Sequence, residues 1–293
     1  MTELKIGVIG IPGKWSTEAL ADAIEARTRF RRVIDMSEVA LDLNSSTLIH
    51  RGEDLTTYDA LIVKKISEIY SPDVLERLEL LRVAEARGVK IYSRPEAIIR
   101  LVDRLACTVS LRLANIPMPR TTVTEDMNEA TAALSTYGSA VFKPLYSTKA
   151  RGMCVIDDGP NAASQIATFA RENPMMYIQE KHDLSGQDLG MVFLNGTYLC
   201  TYARVSASDT WNTTIHSGGK YASFEPDTDL IALAQRAQAP FGLTFTTVDV
   251  ALTSEGPIVF EVSAFGGYRG VKEGCGLDAA ALVSDHVISE VVA

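Results

Sequence analysis

No apolar run in this 293-residue chain reaches the ~18 residues that a bilayer-spanning helix needs. The first residues, Met1 to Lys5, lack a signal-peptide form and lead straight into a short strand pattern. Cysteine is scarce. Cys107, Cys154, Cys200 and Cys275 are scattered with no C-x-x-C pair, and the histidines His50, His182, His216 and His286 show no zinc-ligand spacing. These absences point to a reduced, cytoplasmic protein with no membrane partner. Positive charge is short as well: 28 Lys and Arg against 37 Asp and Glu leave a net charge of −9, so no nucleic-acid partner is expected. What is present suits a soluble enzyme, with 46% hydrophobic and 22% charged residues.

The first hundred residues alternate strand and helix signals. Ile6–Ile9, Arg32–Ile34, Ala60–Val63 and Lys90–Tyr92 are short apolar runs of the kind buried in parallel sheets. Between them, helices are expected from about Ser16, and from Pro72 with Ser71 as N-cap and Gly88 past the last turn. Pro95 to Ala114 reads as one long helix, ended by the turn Asn115 to Pro119. Beyond it the pattern changes to hairpins with helices between them. Asn195-Gly196, between Val192-Phe193-Leu194 and Thr197-Tyr198-Leu199, predicts a two-residue type I′ turn. A second hairpin runs from Val248 to Ser263, and an amphipathic helix from about Asp278 to Val292 closes the chain.

That second hairpin carries the clearest chemistry. With its turn near Glu255, Asp249 lies opposite Glu261, and Ser263 shares their face. Opposed like charges destabilise a strand pair, and a hard cation such as magnesium removes the conflict. The alternative is a solvated face with two unrelated acids, and a one-residue slip in register would turn one carboxylate away. Lys143 ends the apolar run Ala140-Val141-Phe142 and needs either a phosphate or a route to water. The basic loop Ser147 to Gly152, with Lys149 and Arg151, could close over phosphates or be only a loop. Glu180 and Asp188 follow a short strand and could meet a ribose, although surface acids are the commoner case, and Arg204 could hold an anion or form a surface salt bridge. Two other motifs fail. Gly7 to Ser16 is no P-loop, because Gly7 and Gly13 are one residue too far apart and Trp15 follows Lys14. No G-x-S-x-G elbow occurs.

In order, these pieces resemble the ATP-grasp superfamily, and within it the RimK-like amino-acid ligases. The likeness is densest from Asp103 to Gly270. Asp103-Arg104-Leu105 and Ile116-Pro117-Met118-Pro119 resemble the family's D-K helix and G-I-P-x-P turn. Val141-Phe142-Lys143-Pro144, Tyr177 to Lys181 and Gly186-Gln187-Asp188-Leu189 resemble its phosphate strand, adenine hinge and G-x-D turn. Thr214 to Gly219 resembles an N-x-H-x-G-G stretch, while Val248-Asp249-Val250 and Glu261-Val262-Ser263 resemble the two metal strands. The chain departs from the pattern at Arg104, at Ser263 in place of asparagine, in the lid, and at Asn212 and Thr214.

The resemblance implies an α/β fold, α+β in its C-terminal part. An open parallel domain (1–94), a central lid subdomain (95–176) and a C-terminal antiparallel subdomain (177–293) are expected. ATP with Mg2+ or Mn2+ is implied. Asp249, Glu261 and Ser263 would hold the metal; Lys143, Arg104, Lys149 and Arg151 the phosphates; Gln179, Glu180, Lys181, Asp188 and Thr214 the rest of the nucleotide. Arg204 and Lys143 would act in catalysis. The implied reaction joins a carboxylate to an amine, of small molecules or peptides, through an acyl-phosphate. A phosphotransferase and a non-catalytic ATP-binding protein are the alternatives, and a homo-oligomer, dimer or tetramer, is compatible with it.

Overall fold

The computed structural model describes residues 4–148, 150–206 and 218–293. The chain opens with β1 (Ile6–Ile9), α1 (Trp15–Thr28) and β2 (Val33–Ile34). A small antiparallel sheet follows, β3 (Val39–Asp42), β4 (Thr47–His50) and β5 (Glu53–Asp54), which the sequence pattern did not announce. Then come β6 (Ala60–Val63), α2 (Asp73–Ala86) and β7 (Lys90–Tyr92). The expected strands assemble as a parallel sheet in the order β2-β1-β6-β7. All four residues of β1 and of β6 are buried, so both faces need cover. On α1, Thr17, Leu20, Ala21 and Ile24 form the buried stripe, a spacing of three and four residues that sets them on one side of the helix.

The stretch expected as one helix is two, α3 (Pro95–Val102) and α4 (Arg104–Leu113). Asp103 divides them. It is extended at φ −87° and ψ 115°, and its carboxylate accepts from the Leu105 N–H, capping the second helix. This break sets Arg104 on the first turn of α4, where the site begins.

The central sheet comprises β8 (Thr121–Thr124), α5 (Met127–Tyr137) behind it, β9 (Ser139–Lys143), β10 (Cys154–Asp157), α6 (Ala162–Glu172) and β11 (Met176–Glu180). The strand order is β10-β9-β11-β8, antiparallel throughout. Phe142 and Ile178 face Leu134, Ile166 and Phe169 of the two helices. Alternation therefore turns Lys143, Tyr177 and Gln179 to the opposite face. The subdomain limit expected after residue 176 runs through β11, which is hydrogen-bonded between β9 and β8.

The C-terminal part contains β12 (Gln187–Leu194), β13 (Thr197–Val205), β14 (Lys220–Ser223), α7 (Thr228–Gln238), β15 (Phe245–Thr253), β16 (Gly256–Ser263), α8 (Tyr268–Cys275) and α9 (Ala279–Val292). Its sheet order is β14-β13-β12-β15-β16. Asn195 and Gly196 both have positive φ, 46° and 75°, as the type I′ turn requires. One face of this sheet, through Met191, Phe193, Val248 and Val262, shares a core with α7 and α4. The other face packs α8 and α9 against the parallel sheet. There the Tyr202 side chain lies so close to Gly190, Gly270 and Gly274 that a Cβ on any of them would sit 2.4–2.5 Å from it. Among the described residues no helix is long and apolar enough to cross a membrane.

Candidate active site

The acids of the second hairpin are directly opposed, Asp249 on β15 to Glu261 on β16. Nearer the turn, Val250 pairs with Val259, so Phe260 has no partner and forms a bulge. Without that extra residue Asp249 would meet Phe260, and Glu261 would face the other side. Beyond the bulge Thr247 opposes Ser263, placing Ser263 on the acids' face.

Each acid has its own arginine. Arg204 on β13 stands opposite Asp188 on β12. Its Nε lies 3.0 and 3.1 Å from the two Asp188 oxygens, and its Nη2 is 3.1 Å from Asp249 Oδ1. Burial pulls the Arg204 pKa down, but Asp249 and Asp188 outweigh it and hold it well above its ordinary value. Arg104 Nη1 is 3.2 Å from Glu261 Oε2, while its Nε donates to the Pro144 carbonyl at 3.2 Å and its Nη2 reaches Ser147 Oγ at 3.3 Å. One guanidinium thus ties α4, the start of the basic loop and the acidic hairpin together.

Lys143 comes from the central sheet. Its Nζ donates to Gln179 Oε1 and lies 5.4 Å from the Phe260 ring centroid and 5.9 Å from that of Tyr177. The bulge therefore also aims Phe260 at the lysine. Burial, with the nearby Arg104 adding to it and Glu261 opposing, lowers the Lys143 pKa to about 7. Asp249 moves the other way: burial raises it to about 7, against the pull of Arg204 and with help from Glu261 and Asp188. Its side chain is 14% exposed. Low-dielectric surroundings thus bring a lysine and an aspartate toward neutrality.

Asp249 Oδ1 is buried and, among the described residues, its one close contact is Arg204 Nη2 at 3.1 Å; Thr247 Oγ1, on the same face, is buried as well. Two opposed carboxylates fit a hard cation that shares its shell with phosphate oxygens. Among the described residues no cluster of three or more His, Cys, Asp and Glu positioned to hold a metal ion occurs.

The remaining expected residues are placed as follows. Glu180 sits at the end of β11, its carboxylate 2.8 Å from Arg120 Nε, with its N–H on the Arg120 carbonyl. Lys181 is exposed and its N–H donates to Ser139 O. Arg151 is exposed in the basic loop. Lys149 and Thr214, with Asn212, lie outside the described residues. Arg104, Lys143, Gln179, Asp188, Arg204, Asp249 and Glu261 form a linked group; Glu180, Lys181 and Arg151 stand apart from these bonds. Phe260 and Arg120, which contact these groups, were not among the expected site residues. Phe260 could not be found from pattern, because a bulge leaves no mark in the alternation until the register is known.

An acidic hairpin and a lysine-bearing antiparallel sheet thus meet at one place, where Arg104 pairs with Glu261 and Arg204 with Asp249. Residues 102–287 match the RimK-like ATP-grasp domain, and the chain belongs to that family. It is an ATP-dependent ligase joining a carboxylate to an amine. The chain is 26% identical over 318 residues to the tetrahydromethanopterin:alpha-L-glutamate ligase of Methanosarcina acetivorans, covering 97% of this chain and 98% of that one. It is 27% identical over 292 residues to a "Probable alpha-L-glutamate ligase" of Aliivibrio fischeri, covering 97% and 95%. In fold it is similar to the ATP-grasp ligase PsnB, solved with a phosphomimetic variant of a minimal precursor, Mg and ADP. That likeness has a TM-score of 0.76 at 18% identity and covers 99% of each chain.

Proposed function

We propose that the amine substrate is an amino acid, L-glutamate first, and that the bond forms through an acyl-phosphate with ADP and phosphate as products. The observation that carries this reading is the directly opposed pair Asp249 and Glu261, each with its own arginine, facing Lys143. The two relatives named for alpha-L-glutamate support the choice of amine.

Asp249 and Glu261, with Ser263 beside them, would hold Mg2+, or Mn2+ in its place. A bound ion supplies charge neutralisation at the transferring phosphoryl group. Lys143 and Arg104, with Lys149 and Arg151 of the loop, would bind the phosphates. Gln179, Glu180 and Lys181 would take the adenine edge, and Asp188 and Thr214 would complete the nucleotide contacts. A substrate carboxylate oxygen attacks the γ-phosphorus while Lys143 steadies the leaving ADP. The amine then attacks the acyl carbon, Arg204 stabilises the oxyanion, and phosphate departs with the amine proton lost to solvent. No side-chain nucleophile is needed; positioning and electrostatics carry the rate. Three subdomains (1–94, 95–176 and 177–293), a cytoplasmic location and a homo-oligomeric state belong to the same proposal, with the second limit better set after Glu180.

The test is the mass of the product formed from ATP, magnesium, L-glutamate and a pool of cell-extract carboxylates. A product equal to the two substrates less one water, formed together with ADP, supports the reading. A product heavier than its substrate by a phosphoryl group would make the enzyme a phosphotransferase.

A further inference from the structure

Two consecutive lysines, Lys64 and Lys65, follow β6, and the structure uses them differently. Lys64 is 7% exposed, donates from Nζ to the Gly266 carbonyl at 2.9 Å and lies 4.2 Å from the Tyr268 ring centroid. It fastens the parallel sheet to the loop after β16. Lys65 is only partly buried and meets other rings. The N–H groups of both donate to the Ile9 carbonyl, at 2.8 and 3.1 Å, which fixes them at the carboxyl ends of β1 and β6. In the order β2-β1-β6-β7 that is the topological switch point, the crevice where open α/β sheets take ligands.

Lys65 Nζ donates to Tyr70 Oη at 2.9 Å and lies 4.2 and 5.2 Å from the Tyr70 and Phe265 ring centroids. Phe265 is two residues beyond Ser263. Tyr70 is close enough to the acidic hairpin that Glu261, after burial, raises its phenol pKa. A cation held between two aromatic faces thus flanks the acids on the side of the parallel sheet. Arg204 and Arg104 are already paired with Asp188, Asp249 and Glu261, so the carboxylate of an amino acid presenting its amine here calls for a further cation, and Lys65 stands at this crevice.

We propose that Lys65 binds a carboxylate of the amine-bearing substrate, so that this subsite selects an acidic or zwitterionic amine over a simple one. The inference rests on the ligase reading for its purpose, and its test reads binding separately from turnover.

The experiment titrates L-glutamate into the full chain in the presence of magnesium and a non-hydrolysable ATP analogue, by calorimetry. Lys65→Met should weaken L-glutamate binding about tenfold or more, the worth of a charge-assisted bond, while Lys65→Arg should retain most of it. The diamide of L-glutamate should bind wild type and Lys65→Met alike, and both should bind the ATP analogue equally. Lys65→Gln serves if the methionine variant does not fold. Unchanged L-glutamate affinity in Lys65→Met, an equal loss for the diamide, or no L-glutamate binding by wild type at ~10 mM, well above usual substrate levels, each overturns the assignment. Amine-dependent ADP release from the same samples judges the ligase reading independently. Turnover with Lys65-independent binding removes only the subsite; Lys65-dependent binding without turnover removes only the ligase.

Discussion

Asp249 and Glu261 face one another only because Phe260 is left unpaired between them and the hairpin turn. The turn holds the strands in one register, from Thr253 with Gly256 to Val250 with Val259, and the bulge shifts the rest by one residue. An expected destabilising contact is thus built in and then balanced by Arg204 and Arg104.

Glu261→Gln tests this balance. The Glu261 side chain is 43% exposed, so losing its ion pair with Arg104 should change the stability of the free protein by less than about 1 kcal/mol. The same change should abolish stabilisation by magnesium-ATP, about 2.7 kcal/mol for wild type at ~100-fold over Kd. Thermal melts with and without magnesium-ATP check both. A structural carboxylate would give the reverse: a marked loss in the free protein and an intact ligand response.

Lys143 predicts a pH dependence. Its folded pKa of about 7 lies below the unfolded value of ~10.4, so between the two the unfolded chain holds the extra proton. Stability from this group is therefore present above ~10.4 and is lost as the pH falls through about 7. Nearby phosphate favours the ammonium, so binding above that pH must take up a proton. ATP affinity should fall as pH rises from about 7 to ~9, by at most ~tenfold per unit. In Lys143→Met this component should vanish. Affinity titrations of the two proteins across that range decide the matter; identical slopes would remove Lys143 from the phosphate site.

Arg104 is 10% exposed and bonds Glu261, Pro144 and Ser147 together. Arg104→Ala should cost about 1–3 kcal/mol by stranding these acceptors. Arg104→Lys should restore only part of that, since an ammonium cannot reproduce the planar fork. Denaturant melts of the two variants measure the difference, and equal stability of lysine and arginine would show that the fork is not used.

Much of this arrangement was legible in the sequence. The four parallel strands, the Asn195-Gly196 turn and the apolar stretches around Lys143 follow from periodicity and turn chemistry, because each is a local property. The opposition of Asp249 and Glu261 was expected from a turn centred at Glu255; the observed loop is Ser254-Glu255, and the bulge supplies the missing residue. The break at Asp103 was not read, although Ile98 and Val102, and then Cys107 and Leu111, keep a four-residue spacing that the five-residue step from Val102 to Cys107 interrupts. The Asp103 carboxylate caps the second helix at that step. The pairing of Arg204 with Asp188 needs the register shift at Val192 and Phe193, and the contact of Lys65 with Phe265 joins residues far apart in sequence, so no local signal announces either.

The basic loop offers a further check. Arg151 is exposed and its side chain makes no bond to the linked group among the described residues, so it is available to a phosphate. Lys149→Ala combined with Arg151→Ala should lower turnover by ten-fold or more, about 1.4 kcal/mol in the barrier, with little change in melting temperature. Unaltered turnover would take the loop out of the reaction.

The most direct measurement of the central claim is ADP release during a titration of the amine at fixed ATP, magnesium and carboxylate. The account predicts release that rises with amine to saturation, in step with amide product, and a hydroxamate when hydroxylamine replaces the amine. ADP release indifferent to any amine, with no hydroxamate, would contradict it.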